Sequence, residues 1–300
     1  MSADKWQASL AAAKRLALRF PGVTGVDYGY RYHAGIRTSG LGVRFHVSRK
    51  LPRDALRSHE VLPAELASIP CDVLQARYAP RPSRQIRAEP EASSGNGTPG
   101  AIVHEAGSGR LCLLNNWHVL CATAAAQRGA SIFLARPLRH GPATARPVAS
   151  LERWLDLGQG YDAAIAVLSA DVSQGAPIPG VGIRVSSVEE PRLGLVLAMA
   201  GAASGVSHAM IDGIEGAFEL DYSGYGDRKR WMDGFRLIPD PRDAEHAISI
   251  AGYTGAIWIN PATQCTVALH FGGEDGAGSA AGCAIAHPVS RIFSLLDLTP

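Results

Sequence analysis

The chain has 300 residues, 46% of them hydrophobic and 19% charged, with a formal net charge of +2. That length accommodates one large domain or two ordinary ones, and the composition excludes a disordered chain. The near-balanced charge lacks the concentrated basic surface that a phosphate backbone selects, so nucleic acid is not an expected partner.

With 33 glycines and 19 prolines, the chain carries more turn formers than helix bundles tolerate, which predicts many short strands. The five cysteines, Cys71, Cys112, Cys121, Cys265 and Cys283, include no C-x-x-C pair and no metal-like spacing, so reduced thiols and no metal site are expected. Lys14 and Arg15 interrupt the stretch where a secretory signal would need an unbroken apolar run. The longest apolar run, Leu193 to Ala203, is about half the roughly 20 residues that span a bilayer. The expectation is a soluble, reduced, cytoplasmic protein with no membrane partner.

In chain order, Trp6, Leu10, Ala13, Ala17 and Phe20 recur at three- and four-residue steps and predict an amphipathic helix from Lys5 to Phe20, ended by Pro21-Gly22. Strands are expected over Gly25 to Tyr32 and Gly42 to Ser48, with a turn near Gly35 to Gly40. These elements form a small α+β unit over residues 1–78. Residues 79–99, with Pro80, Pro82, Pro90, Ser93, Ser94, Gly95, Gly97 and Pro99, read as a linker. Beyond it, apolar runs of strand length recur at Ala101 to His104, Leu111 to Asn115, Ala163 to Leu168, Leu193 to Met199, Ile257 to Ile259 and Thr266 to Phe271. Short strands so spaced favour a mainly β sandwich or barrel. A short helix over residues 289–297 places Val289, Ile292, Phe293 and Leu296 on one face.

Three segments carry the chemistry. Leu113-Leu114-Asn115-Asn116-Trp117-His118-Val119 is an apolar strand running into a His, and Asp162-Ala163-Ala164-Ile165 places an Asp at the head of another. Gly252-Tyr253-Thr254-Gly255-Ala256 sets a hydroxyl between glycines. A hydroxyl is a poor nucleophile at neutral pH unless a His takes its proton, and that His works best when a carboxylate fixes its tautomer.

In motif and order these segments resemble the trypsin-like (chymotrypsin-fold) serine peptidases, in particular the intracellular bacterial type with an N-terminal lead. The family's L-[TS]-N-x-H-V, D-[IV/A]-A-[IVL] and G-D-S-G motifs match with Asn115 in place of a hydroxyl and Tyr253-Thr254 in place of Asp-Ser. The resemblance implies two antiparallel six-stranded β-barrels, at about residues 100–185 and 186–288. It implies a catalytic His118, Asp162 and Thr254, and an oxyanion hole from the N–H groups of Gly252 and Thr254. It also implies a peptide-pairing strand at Leu269, His270, Phe271, Gly272 and Gly273, and a pocket base near Ile248 and Ser249. No charge stands at that base, so a small or apolar substrate side chain is expected. Ala200 to Gly205 resembles a family turn in the second barrel, and Ala281 to Ile285 the closing strand of the pocket.

The expected function is a peptidase or related hydrolase acting on a peptide or protein substrate, without a cofactor, through a threonine acyl-enzyme. The alternative is a catalytically silent module that binds peptides in a regulatory role. The threonine methyl restricts χ1 and takes space that a serine leaves to substrate, so both readings stay open at Thr254. Taken singly, His118 also fits a structural histidine and Asp162 a turn cap. Gly276-x-Gly278-x-x-Ala281 superficially matches a dinucleotide fingerprint but lacks the helix it requires.

Overall fold

The computed structural model describes residues 3–80, 86–87, 98, 100–134, 147–173, 183–201, 205–243, 247–250, 252–275 and 282–300. The glycine pattern at 276–281 and most of the expected linker lie outside these residues.

The first helix runs Ala3–Ala17. Its apolar stripe of Leu10, Ala13 and Ala17 packs on Val26, Tyr28, Val43 and Phe45 of a hairpin, and Trp6 stacks on Tyr28. The hairpin strands are Val23–His33 and Ile36–Val47. Its turn is tighter than the sequence reading expected: only Ala34 (φ 48°) and Gly35 (φ 79°) lie between the strands. Two successive left-handed residues give the twist that antiparallel neighbours need.

Strands Val196–Gly201, Ile257–Ile259, Thr266–Glu274, Ala284–Pro288, Lys229–Pro239 and Gly205–Asp221 each pair antiparallel with the next, and the last pairs back to the first. This closes a six-stranded barrel around Leu197, Ile211, Phe235, Leu237, Trp258 and Val267. The turn expected at Ala200 to Gly205 has its central residues outside the described ones, but Gly201 and Gly205 pair across it.

The other sheet orders Ile183–Arg184, Ala101–Glu105, Leu111–Asn115, Ala164–Leu168, Ala149–Trp154, Ser131–Leu134 and Ile86–Arg87. Among the described residues this path stays open at both ends. Alternation is clear at Leu113, which enters one core, and Cys112 and Leu114, which enter the other beneath the C-terminal helix Val289–Leu296.

The N-terminal hairpin is part of the barrel sheet. Val23–His33 pairs with Gly205–Asp221, and Ile36–Val47 pairs with the parallel strand Ile69–Gln75. That strand leads into Tyr78–Ala79, which pairs with Thr266–Glu274. The pairings thus return to the barrel and close a second ring that shares four of its strands. Inside this ring lie Asp27, Arg44, His46 and Asp212, all buried, with Phe218, Leu220 and Tyr78. The Arg44 guanidinium binds both Oδ atoms of Asp27 and Oδ2 of Asp212. A Cβ at Gly213 would lie 1.9 Å from Arg44 Nη2, so the sheet admits that ion cluster only where glycine faces it.

Candidate active site

Ala164 pairs with Asn115 on neighbouring antiparallel strands. Asp162, two residues before Ala164, and His118, three after Asn115, therefore emerge at the same end of the sheet. Asn116 fixes the junction by donating its Nδ2–H to the Asp162 carbonyl at 2.8 Å. The chain then makes one helical turn, Trp117–Leu120, which brings the His118 backbone N–H to Asp162 Oδ1 at 3.1 Å and its Nδ1 to Oδ2 in a short hydrogen bond. The proton on Nδ1 leaves the imidazole lone pair on Nε2. Nε2 is buried and has no hydrogen-bond partner among the described residues.

Two further groups hold Asp162, and neither was singled out from the sequence. The Tyr222 hydroxyl donates to Oδ2 at 2.9 Å. The Asp162 N–H donates to His287 Nε2 at 3.0 Å, so His287 carries its proton on Nδ1 and donates it to the Asp233 carbonyl at 2.5 Å. Burial would raise the Asp162 carboxyl, but the His118 and His287 rings and the His118 hydrogen bonds bring it below its ordinary value. Burial, then the Asp162 carboxylate, pushes Tyr222 well above the ordinary phenol range and Tyr225 up to about 12. Both stay protonated. Burial holds His287 neutral by lowering it to about 4. The signal for Tyr222 was weak because the strand that leads to it, Gly205–Asp221, contains Gly213, Gly216 and four acidic residues, which depress strand propensity.

Thr254 lies in the tight turn before Ile257–Ile259. Gly252 (φ 116°) and Gly255 (φ 88°) both take backbone conformations open to glycine. Thr98 anchors this turn on the far side: its N–H donates to the Thr254 carbonyl at 2.7 Å and its hydroxyl to the Gly252 carbonyl. The Thr98 carbonyl accepts from Asn115 Nδ2 at 2.8 Å, which ties the Thr254 turn to the strand that delivers His118. A Cβ at Gly255 would meet Asn115 Oδ1 at 2.2 Å, so the approach requires glycine there. The Tyr253 carbonyl accepts from Ala256 N–H, and the trans peptide turns the Thr254 N–H the opposite way.

His118, Asp162 and Thr254 are all fully buried. Tyr225 covers the His118 ring at 5.1 Å between centroids, and its carbonyl is held by Ala124 N–H at 3.1 Å. Among the expected substrate contacts, the Ile248 side chain packs in the barrel core and the Leu269 side chain in the core under the C-terminal helix. His270 is buried, with Trp258 Nε1–H donating to its Nδ1 and its Nε2 at 3.3 Å from the Ser249 hydroxyl. Phe271 stacks on His287 at 3.8 Å. A Cβ at Gly273 would lie 1.9 Å from Ser249 Oγ, so Ser249 closes the space over this glycine.

The five cysteines are free thiols. Among the described residues no group of three or more His, Cys, Asp or Glu side chains is placed to hold a metal ion. No helix among them is long and apolar enough to cross a membrane.

No protein-family model and no curated protein matches the chain. Among solved structures it is similar to a Nocardiopsis protease, at 14% identity over 74% of this chain and 98% of that one, with a TM-score of 0.47. It is also similar to Thermobifida fusca protease A, at 13% identity over 74% and 97%, TM-score 0.46. A glutamic acid-specific serine protease described as using a histidine triad in substrate binding is similar at 16% identity over 67% and 98%, TM-score 0.44.

Proposed function

We propose that the chain is a hydrolase of the peptidase kind, with Thr254 as nucleophile, His118 as base and Asp162 as the carboxylate that orients it. The observation that carries this reading is the His118 imidazole: its Nδ1 is committed to a buried carboxylate and its Nε2 lone pair is buried with no partner among the described residues. An unmet buried acceptor costs about 1–3 kcal/mol, and a hydroxyl that donates to Nε2 in the working complex recovers it.

In the proposed reaction Thr254 Oγ1 attacks a peptide or ester carbonyl as its proton passes to His118 Nε2. The imidazolium is stabilised by Asp162, which Tyr222 and the His118 N–H keep ionised and in place. The Gly252 and Thr254 N–H groups receive the carbonyl oxygen as it becomes negative, each worth about 3 kcal/mol. His118 returns the proton to the leaving group, and water then cleaves the Thr254 ester by the same path. With Ser249 closing the space over Gly273, a small side chain fits before the cut bond.

A fluorophosphonate probe is expected to label the protein at Thr254, and Thr254→Ser to keep or raise the labelling rate. Absence of labelling in both forms overturns the hydrolase. The second reading, a silent peptide-binding module, is favoured by the complete burial of His118 and Thr254 in this state. It predicts peptide binding that survives Thr254→Ala with no turnover in the wild type.

A further inference from the structure

The strand Thr266–Glu274 has two edges. Ala284–Pro288 takes one along its length, with Ala268 opposite Pro288 and Gly273 opposite Ala284. The other begins against Ile257–Ile259 and the turn before it, where Gly255 N–H donates to the His270 carbonyl at 3.0 Å and His270 N–H to the Ala256 carbonyl at 2.9 Å. Past His270 this second edge leaves the Thr254 turn, and three residues further on it is occupied by the chain itself. Gly273 pairs with Ala79 and Glu274 with Tyr78. Because Gly273 already has Ala284 on one side, Ala79 must lie on the Thr254 side.

The pairing is antiparallel, so from Tyr78 to Ala79 the chain heads along the edge from Glu274 towards Gly272. At about 3.4 Å per residue, His270 lies roughly 10 Å from Gly273 along the strand. A peptide paired along the whole edge would therefore reach the Thr254 turn three residues beyond the one opposite Gly273. The Asp275 N–H donates to the Arg77 carbonyl at 2.7 Å, and antiparallel alternation makes Ala79 and Gly273 the next hydrogen-bonded pair. A Cβ at Gly272 would meet the Ala79 carbonyl at 2.7 Å, so the glycine permits the contact. The far end of the expected linker is also fastened at the site, since Thr98 donates to the carbonyls of Thr254 and Gly252. Ala79 thus lies on the strand edge that leads to the nucleophile turn, and Thr98 is bonded to the turn itself.

We propose that the Phe271 to Glu274 edge is a strand-acceptor site for an extended peptide, and that the full chain holds it in cis with Tyr78–Ala79, so that a peptide in trans binds only by displacing that strand. This rests on the reading of the edge beside Thr254 as the place where substrate pairs. A tethered strand competes at an effective concentration in the millimolar range, and a site held in this way shows a weakened apparent affinity.

The test uses the full chain and a fluorescein-labelled peptide copying residues 77–84. Ala79→Pro removes the N–H that bonds Gly273, whereas Ala79→Gly keeps it. Peptide affinity by fluorescence anisotropy is expected to rise at least about tenfold in Ala79→Pro and to stay at the wild-type value in Ala79→Gly. The Gly273 amide of Ala79→Pro is expected to exchange faster when no peptide is present. Equal affinity in the wild type and Ala79→Pro, or no binding to either, overturns the proposal. Should circular dichroism show that the proline variant does not fold, the wild type decides. Saturating peptide is expected to speed exchange of the Ala79 amide, and unchanged exchange or absent binding overturns the proposal. Neither readout needs turnover, so a failure of the hydrolase reading shows separately, as absent fluorophosphonate labelling in wild type and Thr254→Ser.

Discussion

Tyr253, directly before Thr254, buries its ring among Leu197, Phe235, Ile248 and Val267, edge-on to His270 at 6.4 Å. Its hydroxyl is buried with no hydrogen-bond partner among the described residues. Such a group carries a desolvation cost of about 1–3 kcal/mol that a phenyl ring avoids. Tyr253→Phe is therefore expected to raise stability by about 1 kcal/mol, read as a higher urea midpoint at unchanged slope. An unchanged or lower midpoint would mean that the hydroxyl is satisfied in solution. The ring is anchored by packing, unlike the acidic residue of the resembled family at this place. From the sequence the tyrosine marked a departure from pattern. Its destination in the barrel core could not be read from neighbours two or three residues away.

At the scale of elements, the His118 and Asp162 segments were legible because each is an apolar strand with one polar residue at its end. Their antiparallel register then puts the two ends together. The partners of Asp162 were not legible, because they come from elements remote in sequence: Tyr222 follows one long strand and His287 sits near the end of another. His287 joins strand Ala284–Pro288 to the turn at Asp162, and it does so as a neutral ring. Its folded value of about 4 lies below the ordinary 6.5, so between these values the unfolded chain takes up a proton that the folded chain refuses. Stability is then full above about pH 6.5, falls as pH drops and levels off below about 4, a loss of about 3 kcal/mol. Asp162 and Asp27, whose carboxyls are lowered in the fold, act in the same direction at lower pH: their contribution is kept above the ordinary carboxylate value and lost beneath it. Denaturation midpoints at pH 7, 5.5 and 4.5 are expected to follow this slope, and His287→Gln is expected to flatten it. A parallel slope in the variant would assign the loss to other groups.

Over the whole molecule the N-terminal 78 residues complete the barrel sheet, and the join is ionic. Arg44 contacts Asp27 within its own hairpin and Asp212 on the barrel strand, while Arg236 reaches Asp212 from the next strand. His46 bridges Asp27 at 3.1 Å and Tyr78 at 2.6 Å. Removing one member of such a set leaves its partners charged in an apolar surround, so Arg44→Met is expected to cost about 3–5 kcal/mol in urea denaturation. A loss under about 1 kcal/mol would show that the cluster contributes little to the join. By itself the sequence determined the strand-rich class, the N- and C-terminal helices and the order of His118, Asp162 and Thr254. Each is written in local spacing, where apolar alternation and turn residues act over a few positions. Only the tertiary structure decided that Ala79 pairs on the strand edge leading to the nucleophile turn and that Thr98 fastens that turn, that the N-terminal unit closes a second ring, and that Tyr222 and His287 hold Asp162. Those depend on which elements meet across 60 or more residues, and the strand-edge pairing that brings them together uses backbone groups that every sequence carries alike.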